Sequence, residues 1–186
     1  NGVVGNAVPG GYDDGFDLVE ITSAHVPRTL NRTWQLWNSG KPAYFAAGSD
    51  VHDIWDMTES MSGAARSYVH LPGELTADNF IKSLKAGHGY ASQGPLIYPE
   101  IMFGSEISQT VGEVLKLGYQ LQSVQGLASV QLIERGIQVQ SLILEDRGTG
   151  IADVEFEVKP EVDTWFSLVV KDAAGKYAYS NPLWVK

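Results

Sequence analysis

The chain has 186 residues, no cysteine and a net charge of −9, which excludes disulfides, thiolate metal ligands and a cysteine nucleophile and argues against a nucleic-acid-binding face. Aromatic residues make up 10% and charged residues 19%, the composition of a globular chain with ample core material. No apolar run approaches the length that spans a bilayer and nothing at the start reads as a signal peptide, so a soluble chain without membrane contact is expected; the lack of cysteine leaves the compartment open, a secreted or periplasmic one included.

Residues Asn1 to Gly15 are rich in Gly, Asn and Asp and read as an irregular loop. The first residue is Asn rather than Met, which reads as a processed product or a piece of a longer protein. Phe16 to Ile21 alternates and predicts a strand with Glu20 near its carboxyl end. Thr29 to Ser39 places Leu30, Trp34 and Trp37 at helical spacing, and Gly40 with Pro42 ends the helix; both tryptophans are expected in the core. Tyr44 to Ala47 then predicts a buried strand, so that Phe16 to His52 reads as strand, helix, strand, the unit of a parallel sheet.

Gly48 and Ser49 let the chain turn after that strand, and Asp50 and His52 follow two positions apart. In extended chain such residues point the same way. A carboxylate oxygen and a neutral imidazole nitrogen are the ligand pair that suits zinc, manganese or iron. Glu20 is a further candidate ligand, although a strand-end carboxylate facing solvent is the commoner arrangement. Arg66 to Leu71 predicts another strand, on which His70 has no neighbour of ligand character in sequence. Thr76 caps a helix running to Ala86, with Phe80 and Leu84 on its buried face and Gly87 at its end.

Composition changes after the turn-rich joint Gly89 to Pro95. From Ile97 onward no helix is expected, and short alternating runs recur at Glu100–Phe103, Gly118–Val124, Ser129–Arg135, Gln138–Leu144, Ala152–Val158, Trp165–Lys171 and Tyr177–Val185. About seven closely spaced strands predict a β-sandwich of immunoglobulin-like type without the cysteine pair.

Three stretches taken together resemble a known family: Gly48-Ser49-Asp50-Val51-His52, then Gly63 to Val69, then Lys85 to Pro95, with Tyr179-Ser180-Asn181-Pro182-Leu183-Trp184-Val185 closing the chain. In this order they are similar to the end of the PHP (polymerase and histidinol phosphatase) domain in CehA/McbA-type metallohydrolases, which carry an added β-rich C-terminal domain. The resemblance implies an α/β part followed by an all-β part: residues 1–95 as the C-terminal portion of a distorted (β/α) PHP barrel, and residues 96–186 as the sandwich. It implies a metal-dependent phosphoesterase or related ester or carbamate hydrolase acting on a small-molecule ester, with divalent Zn, Mn or Fe held by Asp50 and His52. A bound metal lowers the pKa of its water toward neutrality. The early His-x-His pair of that family is absent among the four histidines, so the chain is expected to be a fragment that binds metal incompletely without a missing N-terminal part of the same protein. The family usually has Arg where His88 stands, which makes His88 a candidate contact for substrate anions.

A second reading, of a different class, is a non-catalytic β-sandwich binding module in which Trp165, Tyr177, Tyr179 and Trp184 recognise carbohydrate or a partner protein. A serine triad is not expected, because there is no Gly-x-Ser-x-Gly elbow.

Overall fold

The computed structural model describes residues 16–21, 26–49, 51, 55, 62–144 and 150–186. The chain starts with the parallel pair β1 (Leu18–Ile21) and β2 (Tyr44–Ala47), joined by α1 (Val26–Asn38). Pro27 sits in the first turn of α1, where its missing N–H costs nothing. The helix stops because Gly40, at φ 77°, takes the left-handed conformation while Gly40 N–H and Lys41 N–H donate back to Trp37 O and Leu36 O, the Schellman pattern.

β3 (Arg66–Val69) leads to α2 (Ala77–Lys85) and on to β4 (Gly89–Ser92). The Thr76 hydroxyl accepts from Asn79 N–H at the start of α2, and Gly87 and His88 donate to Leu84 O and Ser83 O at its end. β5 (Leu96–Pro99), the two-residue β6 (Glu106–Ile107), β7 (Leu115–Ser123), β8 (Leu127–Glu134) and β9 (Ile137–Ile143) follow. After them come β10 (Gly150–Val158), β11 (Thr164–Asp172), β12 (Tyr177–Ser180) and β13 (Leu183–Val185).

Two sheets stack. The smaller runs β10-β7-β5; in the larger, β11 pairs with β8 and β9 lies beyond β8, while β12, β4 and β3 continue from the other side of β11, which also carries β13 and β6. β10 shows how a strand settles between core and solvent: Ala152, Val154, Phe156 and Val158 are buried and alternate with exposed Asp153, Glu155 and Glu157. Its outer face is tied to β7 by Lys116 Nζ to Glu155 at 2.8 Å and to Glu157 at 3.0 Å. The inner face meets Leu117, Tyr119 and Leu121 of β7 and Val130, Leu132, Phe166, Leu168 and Val170 of the larger sheet.

The larger sheet has a second apolar face. Trp165 and Val169 of β11, Ile133 of β8, Ala91 of β4 and Tyr179 of β12 pack against Ile21, Val26, Leu30, Trp37 and Phe45. Trp37 lies edge-on to Trp165 with ring centroids 4.9 Å apart, and the two indole N–H groups donate to Ala43 O and Asn38 Oδ1. The order is therefore small sheet, large sheet, and a cover made of α1 with the β1–β2 pair.

This architecture corrects the expected (β/α) PHP barrel. Among the described residues there are two helices, of 13 and 9 residues, and the remaining elements are strands. A barrel needs parallel strands joined by crossover helices. Here α2 returns the chain antiparallel, so that Tyr68 pairs with Tyr90, and β4 goes on to pair with β12. The ladders absorb this segment into the sandwich's larger sheet. Residues Glu100–Phe103, expected as a strand, form bends and a turn, and Tyr177–Val185 divides into β12 and β13 around Asn181-Pro182. Proline lacks the N–H a ladder needs. Asp50, His52 and the loop carboxylates Asp53, Asp56 and Glu59 lie outside the described residues.

One buried side chain joins the cover to the sandwich. Asn181 is fully buried; its Oδ1 accepts from Phe45 N–H at 2.7 Å and its Nδ2 donates to Gly87 O at 3.2 Å. Asn181→Ala leaves the covered Phe45 N–H without its acceptor, while Gly87 O keeps the Gly89 N–H, so urea unfolding should show a loss of about 1–3 kcal/mol at unchanged m-value. A loss under about 1 kcal/mol would mean that the joint is held elsewhere.

Candidate functional site

A cleft of about 510 Å³ opens where α1 leaves part of the larger sheet uncovered. Val26, Leu30 and Trp34 line it from the helix, their spacing placing all three on one face. The opposite wall is β12: Tyr177 and Tyr179 alternate with buried Ala178, and their rings lie 5.9 Å apart and 11° from parallel. Lys171 Nζ sits 5.7 Å from the centre of the Tyr177 ring, within range of a cation–π contact. Asn31, Gln93, Gln131 and Lys176 supply the polar groups of the rim. Burial, with Tyr177 beside it adding to the effect, pushes the Tyr179 phenol well above its ordinary pKa, so that it stays a neutral donor and acceptor.

Trp34 Nε1 is covered and has no hydrogen-bond partner among the described residues. A buried donor without an acceptor costs about 1–3 kcal/mol, so this indole stands out against Trp37 and Trp165, whose N–H groups are satisfied. The sequence places Trp34 and Trp37 in the core. Trp34 instead shares its indole between the Trp165 ring, 6.5 Å away, and the cleft. Of the aromatic residues expected to form a recognition surface, Tyr177 and Tyr179 are brought together, Trp165 is a core residue 2% exposed, and Trp184 lies in a different cavity, beside Trp165 and Arg135.

A smaller cavity of about 220 Å³ lies between β3, β4 and β5. It contains His88, the candidate anion contact, and His70. The β3–β4 register, in which Val69 faces Gly89, continues so that His70 N–H donates to His88 O at 2.7 Å. The two imidazoles thus stand opposite each other beyond the stacked Tyr68–Tyr90 pair, whose centroids are 5.1 Å apart. Sequence spacing could not show this pair, because the α2 excursion separates its members by a whole helix.

Glu20 is exposed on β1, with its carboxylate packed over Gly48, where any Cβ would collide with it. Among the described residues no three His, Cys, Asp or Glu side chains form a group that could hold a metal, and the assignment as a PHP-type phosphoesterase is corrected together with the barrel it implied. Among the described residues no helix is long and apolar enough to cross a membrane.

Fold and cleft together define a β-sandwich-like module covered on one side by a helix and a short parallel pair. No protein-family model matches the chain, and no curated protein matches it. Among solved structures, a superoxide reductase (neelaredoxin) from Ignicoccus hospitalis matches 51% of this chain and 82% of its own, at 13% identity and a TM-score of 0.36. An engineered protein matches 86% of this chain and 36% of its own, at 13% identity and a TM-score of 0.33. At these scores neither likeness carries an argument about fold or function.

His88 titrates below its ordinary value of 6.5, first because burial penalises the imidazolium and second because His70 adds like charge. The unfolded chain therefore binds this proton more readily than the folded one. The His88 contribution to stability is complete above pH 6.5 and declines as pH falls through that value. In an NMR titration the His88 midpoint should lie below 6.5 and should rise, without reaching it, in His70→Gln, since burial remains. An unchanged midpoint in that variant would show that the two rings do not sense each other.

Proposed function

We propose that the chain acts as a non-catalytic β-sandwich module that binds carbohydrate in the cleft between α1 and β12. The reading rests on one observation: Tyr177, stacked on the buried Tyr179, and Trp34 together line a cleft of about 510 Å³ whose rim carries side-chain amides. Sugar rings present apolar C–H faces that stack on aromatic rings, and edges of hydroxyl groups that pair with amide donors and acceptors. The volume falls in the usual range for ligand sites, ~300–1,000 Å³. Asn31, Gln93 and Gln131 come from α1, the β4–β5 joint and β8, so the rim can address a ligand from three directions.

The arrangement needs no metal and no nucleophile. Binding requires only that rings and amides be held in place, and β12 is fixed on both sides by β11 and β4.

Screening against a panel of neutral and acidic oligosaccharides should perturb tryptophan fluorescence through Trp34. Tyr177→Ala should weaken the best ligand tenfold or more, a loss of about 1.4 kcal/mol, with the melting temperature held because Tyr177 is only partly buried. Absence of binding across the panel would remove the carbohydrate reading, and retention of full affinity by Tyr177→Ala would remove this cleft as its site.

A further inference from the structure

The cavity of about 220 Å³ is lined by β3 and β4 of the larger sheet and β5 of the smaller one, so it opens into the space between the sheets. Its walls grade from dry to wet. Ile97 and Phe103, 2% and 1% exposed, and buried Tyr90 belong to the core between the sheets. Leu96 and Met102 add apolar surface, His88 is half-buried, and His70 is exposed. Apolar walls with two imidazoles at the wet end suit a ligand with an apolar body and one polar head.

The sign of that head follows from the surrounding charges. Among the described residues no carboxylate lines the cavity, although the chain has 22 acidic and 13 basic side chains. The ionisable groups that face it are His70 and Tyr68 from β3 and its end, His88 and Tyr90 from the start of β4, and Tyr98 from β5. Arg66 shares the face of β3 that carries Tyr68 and His70, and its Nη1 donates to Tyr68 Oη at 3.4 Å. Lys85, three residues before His88, is paired with Asp17 at 2.7 Å. Glu100, just after β5, lines a different cavity with its carboxylate over Gly118. An anion therefore meets no opposing carboxylate here.

We propose that this cavity binds a small aromatic carboxylate, with its ring against Ile97 and Phe103 and its carboxylate between the imidazoles of His70 and His88. The register that pairs Val69 with Gly89 sets the two histidines directly opposite each other, where Cβ atoms stand about 5 Å apart. Each oxygen of one carboxylate can then accept from one ring. Apolar cavities of about 150 Å³ hold benzene, so 220 Å³ leaves room for a ring and its acid group. Binding is coupled to protons as well. Burial and the charge of His70 hold His88 below its ordinary value, and a carboxylate seated beside it favours the imidazolium. Affinity therefore rises as pH falls. No residue lines both this cavity and the α1–β12 cleft, so the two sites are independent.

Chemical-shift titration of the full chain with benzoate should give a dissociation constant at least threefold lower at pH 5.5 than at pH 7.5. Benzamide, which keeps the ring without the charge, and acetate, which keeps the charge without the ring, should each bind at least tenfold more weakly than benzoate at pH 5.5. Saturating benzoate should raise the titration midpoint of His88 in the wild-type chain, a readout that does not depend on any variant folding. His70→Gln and His88→Gln should each weaken benzoate at least fivefold with unchanged circular dichroism, whereas Tyr177→Ala, in the other cleft, should leave it unchanged. Absence of benzoate binding at both pH values overturns the proposal. So does benzamide binding as tightly as benzoate, or a His88 midpoint that benzoate does not move.

Discussion

The structure depends on β11 being buried on both faces. Of its nine residues, only Lys171 is more than slightly exposed. Phe166, Leu168 and Val170 point into the space between the sheets, and Trp165 and Val169 point the other way. Burying a side chain of this size stabilises a fold by about 1.5–3 kcal/mol, and that gain exists on the second face only if something covers it. α1 and the β1–β2 pair provide the cover. The backbone of β11 is satisfied from both sides too, by β8 along nearly its whole length and by β12 and β13 in turn. Where the chain breaks between those two, Leu168 N–H donates to Ser180 Oγ and Ser167 Oγ donates to Ser180 O, so a serine side chain and carbonyl replace ladder bonds at the proline.

The same requirement creates the cleft. A 13-residue helix cannot cover an entire sheet face, and the part of β12 that it leaves partly open carries Tyr177, with Tyr179 buried beside it. An aromatic residue at the boundary between core and solvent keeps one ring face packed and offers the other. The small cavity beside β3 has a parallel origin. There the Schellman ending of α2 delivers His88 directly into β4, and the ladder then sets it against His70. In both places the chemistry comes from side chains contributed by neighbouring elements, so neither site is a contiguous motif.

Much of the C-terminal half was legible in the sequence because strict alternation survives in strands with one wet face. β10 shows it along its whole length, and β7 over most of its length, although its first residues, with the Lys116 that answers Glu155 and Glu157, lie before the run read as a strand. Both helices were legible from their caps, Thr76 for one and Gly40 for the other. The barrel was misread for an identifiable reason. The barrel was what the resemblance implied, and the stretch Gly89 to Pro95, which reads as a turn-rich joint, instead supplies β4, which pairs antiparallel with β3 and carries the chain into the sandwich. β1 and β2 do pair in parallel, but the ladder goes no further than the pair.

Local physics, then, was decided by the residues alone: which stretches extend, which coil, where glycine and proline stop them, and that the molecule is acidic and without thiols. Tertiary structure decided which face of each stretch is dry. It placed Trp37 and Trp165 in the core but Trp34 at a cleft, brought His70 to His88, and buried Asn181 as the clip between Phe45 and Gly87. Those outcomes depend on pairings between residues far apart in the chain, whose energies come from shared burial and shared hydrogen bonds, and neither quantity is a property of any one segment.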